Sequence, residues 1–284
     1  MLNKKLISTV IPTFNREKYL EIAIKSCLNQ SVEHEIIVCN HGGSDDTDNM
    51  VKKFNGKIRY IKKDLDFGPI HCWLDGVLEA KGEFINILFD DDWLESNNYI
   101  EHCIKYLADP EVGFVFCPAK LYDEKQKNFT DILHNNFLHK DGIYKINKYE
   151  LNFLGGLISP TAFVMRKKDI IDSLYSGKLP FAKYTYKGVG PDRLMILICM
   201  LRYSKFGFLK EPQVVYRSHS NSITINSKTD KDKNENIKNA YAEVDKYYYT
   251  MKYGKYFSYL QNKYIFKFRR LLNINYIVSK LTNN

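Results

Sequence analysis

Four short apolar runs punctuate the first part of the chain, at 6–11 (LISTVI), 35–40 (EIIVCN), 58–63 (IRYIKK) and 83–89 (EFINILF). Between them the hydrophobic period lengthens to that of a helix. Leu20, Ala23, Ile24 and Cys27 recur at helical spacing behind Asn15, a candidate N-cap. Ser44 and Asp45 open a second helix near 46–54, and a third covers 69–80 before Lys81-Gly82. Continuously apolar strands alternating with helices predict a mostly parallel α/β sheet covered on both faces. In such sheets ligands bind beyond the carboxyl ends of the strands. Thr13, Asn40, His41 and Asp90 to Asp92 all fall there.

Beyond residue 112 the pattern is mixed. VGFVFCPAKLYD reads as a strand, and GGLISPTAFVMRKKDI as a strand leading into a short helix. DRLMILICMLRYS (192–204) reads as an apolar helix, and FGFLKEPQVVYRSH as a strand pair bent at Pro212. The polar stretch 221–236 marks a boundary, giving a body of residues 1–220 and an extension of 221–284. No run of about 18 apolar residues predicts a membrane span, and MLNKKLISTVIPTFN lacks the features of a signal peptide. These features predict a cytoplasmic protein. Six cysteines, at 27, 39, 72, 103, 117 and 199, show no CxxC pair and read as reduced core thiols rather than disulfide or zinc ligands.

The net charge is +9, and between Lys246 and Asn284 lie eight Lys/Arg with no Asp or Glu. Almost all the excess is therefore in the tail. Basic residues interleaved there with Tyr and Phe over 237–284 suit a helical extension that packs on the body, docks on an anionic membrane surface, or does both. The tail could also suit nucleic acid, but none is expected as a partner.

Three consecutive carboxylates at the end of a buried strand repel one another, and a divalent cation relieves that repulsion. Oxygen ligands point to Mg²⁺ or Mn²⁺. The plainer reading is an acidic turn capping the next helix. Against it, the run directly follows Ile87-Leu88-Phe89 and precedes Trp93-Leu94, which would bury the turn.

The segments VIPTFNREKYLEIAIKSCLNQ, EIIVCNHGGSDDT and GPIHCWLDGVLEAKGEFINILFDDDWL resemble the inverting family 2 glycosyltransferases with the GT-A fold, and the likeness extends over about residues 5–217. The resemblance implies a central Rossmann-like sheet, a nucleotide-sugar donor with UDP foremost, Mn²⁺ or Mg²⁺, and a glycan or lipid-linked acceptor in surface polysaccharide synthesis. It implies donor contacts at Pro12, Thr13, Asn15, Asn40, His41 and Asp90. It makes Asp91 the cation ligand, with Asp92 and His219 beside it and Asp90 or Asp92 near the ribose.

Arg217, in YRSHSNSIT, is implied near the phosphates, and Gly155 and Gly156 on the acceptor side. Asp192, which opens the apolar helix, is implied as the base that takes the acceptor proton. Several positions depart from the family pattern: Asn40 and His41 stand where acids are usual, Phe89 opens the metal motif, Trp73 replaces a frequent Arg, and Pro191 a Glu. For several of these positions the residues alone leave a plain alternative open. Asn40 and His41 could shape a tight turn with Gly42-Gly43, Asp192 could be an ordinary N-cap, and His219 a surface residue. Two other classes compete with this reading. A sugar-phosphate nucleotidyltransferase would want a Gly-rich phosphate loop, which IPTFNREKYL does not offer. A non-enzymatic binder would act through the tail alone.

Overall fold

The computed structural model describes residues 7–43, 46–155, 159–176, 189–219 and 231–253. Strand β1 (Ile7–Thr13), helix α1 (Glu17–Leu28), β2 (Glu35–His41), α2 (Thr47–Lys52), β3 (Arg59–Lys63), α3 (Pro69–Glu79) and β4 (Phe84–Ile87) alternate as the hydrophobic pattern predicts. Then come β5 (Trp93–Leu94), α4 (Tyr99–Leu107), β6 (Val112–Phe116), β7 (Ala119–Asp123), β8 (Asn128–Leu133) and β9 (Gly142–Lys145). Helix α5 (Ile146–Gly155), strand β10 (Phe163–Arg166), α6 (Lys167–Ser176), α7 (Pro191–Arg202), β11 (Lys205–Phe208), β12 (Val214–Ser218) and α8 (Lys231–Tyr253) complete the order.

Among the described residues, the main sheet has the order β3-β2-β1-β4-β10-β6-β11-β9, and a smaller one the order β5-β12-β7-β8. Strands β3, β2, β1 and β4 are parallel, while β10 runs antiparallel to β4 and β6. Every residue of β1 is buried, as a strand covered on both faces requires.

The register explains why proline is tolerated in this central strand. Pairing of β1 with β4 ends at Val10 and Ile87, where the Val10 carbonyl accepts from Leu88 N at 3.0 Å. Pro12, two residues on, faces the same side beyond the end of β4, so its missing N–H forfeits no ladder bond. The side of β1 at Pro12 and Thr13 is left open there. On its other side β1 keeps pairing with β2 to Thr13 and Asn40.

Helix α3 lies against β1 and β2 through Gly76, where an added Cβ would fall 2.4 Å from Val10 Cγ1. The far half of the sheet is filled by phenylalanine. Phe114 lies 5.4 Å from Phe153, 5.7 Å from Phe206 and 5.8 Å from Phe163, joining β6, α5, β11 and β10 in one aromatic layer.

Several expectations are corrected. Asn15 is not the N-cap of α1: Arg16 holds that position without a side-chain cap bond, and Asn15 turns the chain at φ 55°. Arg16 is instead drawn to the aspartates, and asparagine tolerates the left-handed turn that this demands. VGFVFCPAKLYD is two strands, because the Cys117-Pro118 step passes the chain from the main sheet to the small one. Strands β11 and β12 likewise belong to different sheets and do not pair. Strand β4 stops at Ile87, and Leu88 and Phe89 lead out to the acidic turn. Helix α8 begins at Lys231, within the polar stretch, and packs on α7; residues 221–230, 254–284 and Gly156 lie outside the described residues.

Candidate active site

The three aspartates leave β4 in a turn closed by Asp92 N donating to the Phe89 carbonyl at 3.0 Å. Each meets a different environment. Asp90 is buried; its Oδ2 accepts from Thr13 Oγ1 at 2.8 Å, and its Oδ1 lies 3.1 Å from the Arg16 guanidinium. Burial, seconded by Asp91, pushes the Asp90 carboxyl up to about 6 against the pull of Arg16. Asp92 is buried too. Its oxygens accept from Thr161 Oγ1 at 2.7 Å and from Arg217 N at 3.1 Å, and burial holds its carboxyl well above the usual range.

Asp91 keeps 15% of its side chain exposed, against 6% for Asp90. Its Oδ2 lies 2.9 Å from Arg16 Nη1 and 2.9 Å from His219 Nε2. The turn thus anchors its first and third carboxylates inward and leaves the second the most exposed of the three.

Arg217 braces this turn. Its Nε donates to the Asp91 carbonyl at 3.0 Å, and its guanidinium lies 4.8 Å from the Tyr19 ring and 4.9 Å from that of Trp93. Only 8% of its side chain is exposed, so its charge is spent within the protein.

Asn40 is 1% exposed at the end of β2. Its Nδ2 donates to Tyr60 Oη at 2.9 Å, and that hydroxyl donates to Asp48 Oδ1 at 2.6 Å. With the Tyr60 proton committed to Asp48, the amide must present its N–H to Tyr60, which directs Oδ1 the other way. Oδ1 is buried and has no partner, and an orphan acceptor of this kind calls for a donor from elsewhere. It lies by Gly43, where an added Cβ would meet Asn40 Oδ1 at 3.1 Å and Asn15 Oδ1 at 3.2 Å. Gly42 makes the turn at φ +72°, and a Cβ there would fall 2.9 Å from Asp66 N. His41 points elsewhere, towards Asp75, whose Oδ2 is 3.2 Å from Nε2.

Asp192 stands in a separate group, in the first turn of α7. Its Oδ1 accepts from Gly190 N at 2.9 Å and Arg193 N at 2.7 Å, and Oδ2 from Tyr241 Oη at 3.1 Å. Burial lifts its carboxyl above the ordinary value, while the three donors oppose the rise. Gly155 ends α5.

Sequence reasoning missed Arg16, Thr161, Tyr60 and Tyr241. Arg16 had a legible signal, as a cation in the turn after a strand whose neighbour ends in carboxylates. Thr161 and Tyr241 are 69 and 49 residues from the carboxylates that they serve, and no local pattern marks them.

Comparison with known proteins bears on the fold and the family. Staphylococcus aureus TarS (residues 1–349, in complex with UDP) superposes with a TM-score of 0.60 at 16% identity, covering 84% of this chain and 65% of that one. Mannosyltransferase PcManGT from Pyrobaculum calidifontis, in complex with GDP-Man and Mn²⁺, gives 0.53 at 17% identity, covering 78% and 60%. The fold is thus that of the GT-A glycosyltransferases. The sequence profile of Glycosyl transferase family 2 matches residues 8–174, and the chain belongs to that family. A GalNAc(5)-diNAcBac-PP-undecaprenol beta-1,3-glucosyltransferase of Campylobacter jejuni is 31% identical over 172 residues, which are 59% of this chain and 53% of that protein. Glycosyltransferase GlyG of Streptococcus pneumoniae is 29% identical over 129 residues, 44% of this chain and 42% of that one. The chain spans at most about half the length of these curated relatives.

Proposed function

We propose that this chain transfers a sugar from a nucleotide-sugar donor, UDP-linked, to a hydroxyl of a glycan or lipid-linked acceptor, with inversion, in the building of a surface polysaccharide. The observation that carries the reading is the outward Asp91 carboxylate in contact with His219 and Arg16, at the same end of the sheet as the unpartnered Asn40 Oδ1. An acceptor fixed at that position suits the N3–H of uracil and is mismatched to cytosine, whose N3 is itself an acceptor. Thr13 and Pro12 leave the floor beside it open, and Asn15 reaches the same turn.

A carboxylate oxygen and an imidazole nitrogen 2.9 Å apart, beside two further buried carboxylates, fit a divalent cation of the Mn²⁺ or Mg²⁺ kind. Asp91 and His219 would hold it, and Asp92 would support them from beneath through Thr161 and the Arg217 amide. When bound, such a cation neutralises charge that develops on a leaving diphosphate. Arg16 adds a fixed cation at the same place, in the role that the Arg replaced by Trp73 would otherwise serve. Asp192 takes the acceptor proton, its carboxylate oriented by Tyr241 and two backbone amides. The undecaprenol-linked compound in the name of the C. jejuni relative supports a lipid-linked acceptor.

Thermal-shift screening against UDP-, GDP-, CMP- and dTDP-sugars, with and without Mn²⁺, tests the reading. The largest metal-dependent shift is expected with a UDP-sugar; no nucleotide shift that depends on metal would overturn it. Asp192→Asn should abolish turnover and spare donor binding.

A further inference from the structure

A second cluster of ligating side chains lies under the nucleotide end of the sheet, between β2 and α3. Cys39 and His41 are two apart on a strand and so share one face of the sheet. Helix α3 crosses that face, with Gly76 against Val10 and an added Cβ there only 3.5 Å from Cys39 Cβ. One turn earlier on the helix stands Cys72, whose Sγ donates to the Cys39 carbonyl at 3.1 Å. The two sulfurs and one His41 ring nitrogen all lie within 4.8 Å of one another. All three side chains are buried, at 0%, 1% and 4% exposed for Cys39, His41 and Cys72. Both cysteines are free thiols.

His41 is the second, independent sign. Its ring is enclosed, yet neither nitrogen has a hydrogen-bond partner. Asp75 Oδ2 is 3.2 Å from Nε2, close enough to pair but without the alignment of a hydrogen bond. An enclosed imidazole whose Nδ1 has no partner and whose Nε2 has only a poorly aligned carboxylate is costly unless something else uses it. Burial keeps the ring neutral, lowering its pKa against the pull of Asp75 and Asp66 and with the help of Lys63. Neutral imidazole is the form that ligates metal.

We propose that Cys39, His41 and Cys72 form a binding site for a thiophilic divalent cation of the zinc kind, separate from the carboxylate pocket at Asp91. Two thiolates and an imidazole suit zinc, whereas Mn²⁺ and Mg²⁺ prefer oxygen. Ligands of a tetrahedral zinc ion stand about 3.4–3.8 Å apart, as follows from Zn–S and Zn–N bond lengths. A spacing within 4.8 Å thus closes by side-chain rotation, with Cys72 giving up its bond to the Cys39 carbonyl. On binding, each thiol releases one proton to solvent and the dication enters, so the net charge of the buried cluster is unchanged. Asp75, 3.2 Å from Nε2, would orient the imidazole once the ring turned to ligate through its other nitrogen. The ion would tie α3 to the end of β2 and so brace the strand from which Asn40 projects. The site does not depend on the reading of Asp91.

Titration of the reduced full-length protein with Co²⁺ tests this. Expected are thiolate-to-cobalt charge-transfer bands and tetrahedral visible bands that saturate at one equivalent and are removed by Zn²⁺. They should persist in Asp91→Ala and vanish in Cys72→Ser and in His41→Ala. Zn²⁺ at about a hundredfold its dissociation constant should raise the Tm of the wild type by about 5–10 °C, and a chelator should reverse the rise. The wild-type readings stand even where a variant fails to fold. Absence of thiolate–cobalt bands in the reduced wild type overturns the proposal, as does their persistence in Cys72→Ser. A Cys39–Cys72 disulfide in anaerobically purified protein, found by peptide mass spectrometry, overturns it too.

Discussion

Asp90, Asp91 and Asp92 are chemically identical and adjacent, yet their neighbours separate them. Asp92 spends both oxygens on Thr161 and the Arg217 amide, and Asp90 spends its own on Thr13 and Arg16. Asp91 raises the pKa of both through like-charge repulsion. Asp91→Ala relieves that repulsion but also removes the partner of Arg16 and His219, so Tm should change little while the Mn²⁺-dependent shift with nucleotide is abolished. Asp92→Ala should lower stability by about 1–3 kcal/mol, because it strands a part-buried N–H and a buried hydroxyl; urea denaturation of the two variants checks the contrast. Asp192 follows the same logic with a titrating readout. Tyr241 Oη donates to its charged form, which lowers its pKa. Tyr241→Phe removes that donor and should move the acidic limb of kcat/KM to higher pH, with the high-pH plateau retained. A limb that does not move would show that Asp192 is not the titrating base.

At the scale of elements, α8 is docked rather than appended. Asp245 lies 2.9 Å from Arg193, Tyr248 donates to Glu150 at 2.9 Å, and Lys252 lies 2.6 Å from the same carboxylate. Arg193 is 9% exposed and also donates to the Leu154 carbonyl. Asp245→Ala leaves this guanidinium without its counter-ion, and a loss of about 2 kcal/mol is expected, below the cost for a fully enclosed pair because Asp245 is partly exposed. Thermal denaturation should show a fall of about 5 °C. The sequence allowed such packing as one reading of the extension, but not its partners, because α8 shows only a weakly periodic polar helix. By contrast, β1 to β4 and α1 to α3 were legible, because short connections and opposite hydrophobic periods leave few alternatives. The small sheet was hidden, since β5 has two residues and β8 is largely exposed, too little apolar signal to name a strand. Pro212 was legible as a bend and Pro118 was read through, and nothing local says that the chain changes sheets at either. The aspartates were legible as a group, while their division of labour came only from Thr13, Thr161 and Arg16. The six cysteines looked scattered because the contact between Cys39 and Cys72 spans 33 residues and is made by a helix crossing a strand.

At the scale of the whole molecule, charge is divided between the body and the tail. Of the net +9, eight charges lie between Lys246 and Asn284, leaving +1 for everything before (9 − 8 = 1). Among the described residues no helix is long and apolar enough to cross a membrane. A body with almost no net charge has little long-range attraction to an anionic surface, whereas six Lys/Arg follow Tyr253, interleaved with Tyr and Phe. Each basic residue near an anionic bilayer contributes about 1 kcal/mol, and the effect fades beyond a Debye length of about 10 Å at 0.1 M salt. We propose that the segment after Tyr253 brings the protein to an anionic membrane, where a lipid-linked acceptor would be met. In co-sedimentation, the full chain should bind vesicles containing phosphatidylglycerol and release them as salt rises, and should ignore purely zwitterionic vesicles. A chain ending at Tyr253 retains α8 and its contacts with α7, so it should keep metal-dependent nucleotide binding while losing vesicle binding. If the shortened chain binds anionic vesicles as well as the full one, the attraction belongs to the body and the membrane role of the tail is wrong.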